Sequence, residues 1–152
     1  MKLDAYQYSI RLLSQRDYPR KKLIEKLISR GFETEEIFDA ITELKEVGLF
    51  DENRYAEARI KGLIHKGWSK SFITKKMGLE GVEVTPEMLE RCYRYLDITE
   101  YDQAEKLLIK KIKNINDLSF NDRQKATRYA LSKGHSFDKI KEILESLSNH
   151  PQ

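Results

Sequence analysis

Apolar residues recur every three or four positions through most of the chain, with polar or charged residues between them. That period predicts amphipathic helices. Leu3, Tyr6, Ile10 and Leu13 step along one face of a first helix from Leu3 to Gln15. A second, from Pro19 to Arg30, turns Leu23, Ile24, Leu27 and Ile28 inward. A third, from Thr34 to Val47, buries Ile37, Ile41 and Leu44. The fourth runs from Asp51 to Lys66, with Tyr55, Ala56, Ile60, Leu63 and Ile64 inward and Arg54 and Arg59 outward. No stretch alternates with period two, and Val82 to Val84 is too short for a strand.

Punctuation between the periodic stretches repeats. An aromatic residue precedes a helix start at Tyr18-Pro19, Trp68-Ser69 and Phe120-Asn121, and Gly31, Gly81 and Gly134 close those helices. Glycine takes the left-handed backbone that ends a helix, and Phe32, Val82 or His135 can then fold onto the last turn at Leu27, Met77 or Ala130. Gly48 closes the third helix in the same way, with Leu49 expected against Leu44 and Asp51 as the next N-cap. Thr99 with Asp102, and Ser119 with Asp122, have capping-box spacing, and a seventh helix is expected from Thr99 to Asn114. The three aromatics at the helix starts are expected to plug the module cores. The grammar predicts an all-α protein of nine helices in three tandem three-helix modules, residues 1–50, 51–97 and 98–152. Modules of this size bury little surface alone, so an elongated array stabilised by its neighbours is expected, suited to a long partner.

Charge changes this picture more than composition does. The 152 residues carry a net charge of only +3, but the charge is segregated. From Glu33 to Glu52 eight acids and one lysine give a net of −7, and from Arg54 to Lys76 seven bases and one Glu give +6. Lys106, Lys110, Lys111 and Lys113 crowd the seventh helix. Such stripes point to nucleic acid or an acidic protein surface, the alternative being solvated faces that neutralise one another. One Cys excludes a disulfide framework, no apolar run approaches a membrane span, and Met1 to Ile10 does not read as a signal peptide. An intracellular, cytoplasmic protein is expected.

No catalytic set emerges. Cys92 stands alone among Met88, Leu89 and Leu96, where a buried thiol is the simpler reading. His65, His135 and His150 are scattered without metal-ligand spacing, and no glycine-rich phosphate loop occurs. The expectation is a binding protein without enzyme activity, metal or cofactor.

The run Gly48 to Arg59, GLFDENRYAEAR, resembles the signature at the first module junction of RecX, the bacterial regulator of the RecA recombinase. Leu12 to Tyr18 with Leu23, Leu27, Arg30, Gly31 and Phe32 is similar to that family's first module. Lys66 to Ser69, Ile73 and Gly81-Val82 look like its second, and Tyr129, Leu131, Lys133-Gly134 and Ile140 match the third more loosely. Pro19, Glu33 and Gly78 depart from the family pattern at helix boundaries. The resemblance implies a non-enzymatic modulator, mainly an inhibitor, that lies along the RecA–single-stranded DNA filament and limits extension, ATPase and strand exchange. A monomer is expected, with single-stranded DNA itself as a second candidate partner. Arg54, Arg59, Lys66, Lys70, Lys75 and Lys76 are the candidate contact residues, with Lys110 and Lys111 as a second patch. The alternatives are a DNA-binding protein without sequence preference, built of helix-turn-helix-like modules, and a helical scaffold for an unrelated partner.

Overall fold

The structure is a computed structural model and describes residues 2–149. Among the described residues it contains nine helices and no strand. They are α1 (Ala5–Gln15), α2 (Arg20–Ser29), α3 (Thr34–Glu46), α4 (Glu52–His65), α5 (Lys70–Leu79), α6 (Pro86–Leu96), α7 (Glu100–Ile109), α8 (Phe120–Ser132) and α9 (Phe137–Asn149). The described residues divide into two compact units, 2–59 with 77–84 and 60–76 with 85–149. The division falls inside α4 and α5.

Glycine ends the helices at Gly31, Gly48, Gly81 and Gly134 as the spacing predicts, and Gly67 is a further stop. Gly31, Gly48, Gly67, Gly81 and Gly134 all have positive φ. At each, the glycine amide and the one after it donate back to the last turn. Phe32 N bonds Leu27 O, Leu49 N bonds Leu44 O, Trp68 N bonds Leu63 O, Val82 N bonds Met77 O and His135 N bonds Ala130 O. These five Schellman motifs satisfy carbonyls that a helix end leaves free. Asp97, at φ 55°, ends α6 in the same left-handed conformation without glycine. At helix starts, Asp51 accepts from Asn53 N and Arg54 N at 3.0 and 3.3 Å. Thr99 and Asp102 form a reciprocal capping box. Pro19 is the N-cap of α2 rather than its first helical residue, and α5 continues unbroken through Gly78.

The first core holds Leu12, Leu23, Leu27, Ile37, Ile41, Leu44 and Phe50, with Tyr6, Tyr8, Tyr18, Ile24 and Phe32 packed against it. It corrects the expected inward faces in three places. In α1 the buried line is Ala5, Ser9 and Leu12, so Leu3 and Ile10 face out, because the small Ala and Ser allow close helix approach. Ile28 is 57% exposed at the end of α2. After Gly48 it is Phe50 that enters the core, while Leu49 is exposed, since the larger ring removes more apolar surface from water. In the second unit a core of Ala104, Leu108, Ala126, Ala130, Ile140, Ile143 and Leu144 joins α7, α8 and α9. Phe120, expected to plug this module, is 72% exposed. Tyr18 and Trp68 are half-buried.

The seventh helix stops at Ile109, short of the expected Asn114. Lys111 N and Ile112 N continue as tight turns onto Leu108 O and Ile109 O, and Lys113 N then donates to the Asp122 carboxylate at 3.1 Å. That bond also explains why the Ser119 and Asp122 pair is only half a capping box. Ser119 accepts from Asp122 N at 3.1 Å, but the Asp122 side chain is turned to Lys113.

Candidate functional site

In the second unit the C-terminal end of α4, the Gly67 turn, α7 and the end of α8 enclose a cleft of about 450 Å³. Its floor is apolar, from Ile64, Leu96, Ile98 and Leu107. Its rim carries Lys66, Lys106, Lys110 and Lys133 with His65. Lys111 stands 4.5 Å above the ring of Tyr129, which also lines the cleft, and Lys133 lies 5.8 Å from the same ring. Among the described residues none of Lys66, Lys106, Lys110, Lys111 or Lys133 lies within ion-pair distance of a carboxylate. The one acid lining the cleft, Asp102, accepts the Thr99 amide at 3.0 Å. Four lysines facing one acid leave an excess of like charge that repels, and an anion relieves that repulsion.

A buried polar network fixes the cleft's geometry. Gln103 Nε2 donates to Ile64 O at 2.9 Å and to Trp68 O at 2.7 Å, tying α7 to the carbonyls that end α4. The Tyr93 hydroxyl donates to Gln103 Oε1 at 2.7 Å. Burial, with the Glu100 carboxylate nearby, pushes the Tyr93 phenol well above its ordinary range, so it remains a donor at neutral pH. Buried His135 donates from Nε2 to Gly67 O at 2.8 Å, because a carbonyl can only accept. Each contact holds the Gly67 turn on which Lys66 is mounted.

The candidate basic residues are thus sorted. Lys66 and Lys110, assigned to separate patches by sequence, line one cleft, with Lys111 at Tyr129 beside it. Lys70, Lys75 and Lys76 on α5 lie over the rings of Tyr93, Phe72 and Trp68, at 5.1, 5.8 and 5.5 Å. Arg54 is exposed and pairs with Asp17 at 3.6 Å. Arg59, expected to face outward, is instead half-buried and bidentate to Glu80, at 3.3 Å from Nε and 2.9 Å from Nη2. The Glu80 hydrogen bonds raise the Arg59 pKa, and Tyr55, whose own pKa is raised first by burial and then by Glu80, donates to the same carboxylate. Arg59 therefore brings no unbalanced charge to the surface. Lys106 and Lys133 were not among the sequence candidates. Lys106 was visible in the basic run of α7, whereas Lys133 stands far from it in sequence.

Among the described residues no group of three His, Cys, Asp or Glu could hold a metal ion, Cys92 is buried, and no helix is long and apolar enough to cross a membrane. Residues 5–44 match the family model for the first three-helix domain of RecX, and residues 99–144 match that for its third. The regulatory protein RecX of Legionella pneumophila is 26% identical over 145 residues, 95% of each chain. That of Haemophilus influenzae is 28% identical over 142 residues, 92% of each chain. The crystal structure of RecX from Lactobacillus salivarius is similar at a TM-score of 0.74 with 21% identity, covering 96% of both chains. A second crystal structure of a regulatory protein RecX is similar at 0.70 with 18% identity, covering 93% of this chain and 71% of that one.

Proposed function

The chain belongs to the RecX family, and from that premise we propose that it is a non-enzymatic regulator of the RecA recombinase, acting in the cytoplasm on the RecA–single-stranded DNA filament. It binds along the filament and limits its extension, ATPase and strand exchange. The observation that supports this reading best is the cleft in which Lys66, Lys106, Lys110 and Lys133 outnumber the single lining acid, Asp102, with Lys111 beside it. Such a cleft suits a phosphate backbone or a carboxylate-rich protein surface, and it reads no base sequence. Lys70, Lys75 and Lys76 extend the contact along α5, and Arg54 contributes through its exposed side chain. Arg59 acts by holding Glu80.

The test is the RecA ATPase rate on single-stranded DNA, titrated with this protein, beside a binding titration on the same DNA without recombinase. Inhibition well below one molecule per recombinase, with weak binding to bare DNA, is the expected result. The variant Lys66→Glu/Lys110→Glu should need at least about tenfold more protein for the same inhibition, the size expected for losing two phosphate contacts and adding repulsion. Tight binding to bare DNA with inhibition only at full coverage would instead favour a DNA-binding protein without sequence preference.

A further inference from the structure

Two contacts recur where the second helix of a module begins. At the start of α2 the Arg20 amide donates to the carboxylate of Glu52, the first residue of α4. At the start of α5 the Lys70 amide donates at 2.7 Å to the carboxylate of Glu100, the first residue of α7. The same two helix starts are also closed over by a glycine turn. A Cβ on Gly81 would come within 2.6 Å of Lys21, and one on Gly134 would fall on Ser69 and Phe72. A small residue follows each acid by one turn, Ala56 and Ala104, and both are buried.

The start of α8 holds the equivalent position in the last module and receives neither contact. Its first residue, Phe120, is 72% exposed, and among the described residues nothing accepts from its amide. Beside it lies a groove of about 450 Å³ between α8 and α9, whose apolar walls are Phe120, Phe137, Ile140 and Leu144. Phe137, at the start of α9, is 59% exposed. Arg123, Arg128 and Lys141 border the groove against the single acid Glu145, a balance that favours a negatively charged occupant.

We propose that the α8–α9 groove is a docking site for an amphipathic helix of another protein, one that begins with an acidic residue followed one turn later by a small one. The acid caps the Phe120 amide as Glu52 caps Arg20 and Glu100 caps Lys70, and the apolar face of the helix covers Phe120 and Phe137. A second copy of this chain does not fit the role. Its α4 and α7, which begin with the acid, are already held against α2 and α5 of their own chain, and its α1, the corresponding helix of the first module, begins with Ala5 and brings no carboxylate at that position. The site is separate from the basic cleft and does not depend on which polyanion that cleft meets.

The probe is a fluorescent, helix-stapled peptide with the sequence of residues 98–112, titrated into the full chain and read by anisotropy. Saturable binding is expected, weakened about two- to fivefold by Glu100→Gln in the peptide, since the charge-assisted cap is lost. Phe120→Glu or Phe137→Glu in the protein should weaken it as much, with helicity by circular dichroism unchanged because both side chains are exposed. Absence of saturation up to the peptide's solubility, or equal affinity for the Gln peptide and for both groove variants, would overturn the proposal. Concentration-dependent dimerisation that Phe120→Glu abolishes would also overturn it, by making a second copy the occupant.

Discussion

At Gly134 the backbone has φ 95°, and an added Cβ would fall on the Phe72 ring and the Ser69 hydroxyl. Gly31, at φ 96°, has nothing within 4 Å of the same position. The two sites share a backbone requirement and differ in what surrounds it. Gly31→Ala is expected to cost about 1–2 kcal/mol, the strain of a left-handed L-residue. Gly134→Ala adds overpacking of about 1–3 kcal/mol more. Urea unfolding of the two variants should therefore give a clearly lower midpoint for Gly134→Ala, and equal midpoints would contradict the close approach.

At the scale of the element, helix starts are completed from outside the helix. Pro19 and Ser69 are N-caps, yet the first amides of α2 and α5 are satisfied by Glu52 and Glu100, acids brought from 32 and 30 residues away. Each carboxylate also sits at the positive end of a helix dipole. Glu100→Gln should lower stability by about 0.5–1 kcal/mol through that lost charge–dipole contact, and should speed hydrogen exchange at the Lys70 amide. Glu142→Gln, on the exposed face of α9, is the control and should change neither. The end of α7 follows the same logic, since Asp122 takes the Lys113 amide and the chain leaves the helix before Asn114.

At the scale of the whole molecule, the proposed polyanion contact rests on where positive charge is left in excess. Arg54 and Arg59 sit in the densest basic block of the sequence, yet each has an acid beside it. Lys66, Lys110 and Lys133 come from three different helix ends, and among the described residues none has a carboxylate within ion-pair distance, Asp102 being the one acid that lines their cleft. Binding to single-stranded DNA should therefore lose more of its salt dependence through the cleft than through Arg54. In Lys66→Gln/Lys110→Gln the slope of log K against log salt should shrink by about 1.4, or about 0.7 for each phosphate contact removed. Arg54→Gln should change it by less than one contact's worth. A reversed order would move the polyanion site out of the cleft.

Much of this protein was determined locally. Helix period, the glycine stops at Gly31, Gly48, Gly81 and Gly134, the Asp51 and Thr99 caps and the three-module repeat depend on spacings within a few residues, because backbone hydrogen bonds and caps close over one turn. For the same reason the junction Gly48 to Arg59 was legible as a family signature. Tertiary packing decided the rest. An apolar period marks a face but leaves its rotation open, so Phe50 rather than Leu49, and Ala5 rather than Leu3, entered the core only when the helices met. A charged side chain on a helix surface has no local preference for its partner. Arg59 could find Glu80, and Lys66 could join Lys110 and Lys133, only once the fold had brought distant turns together.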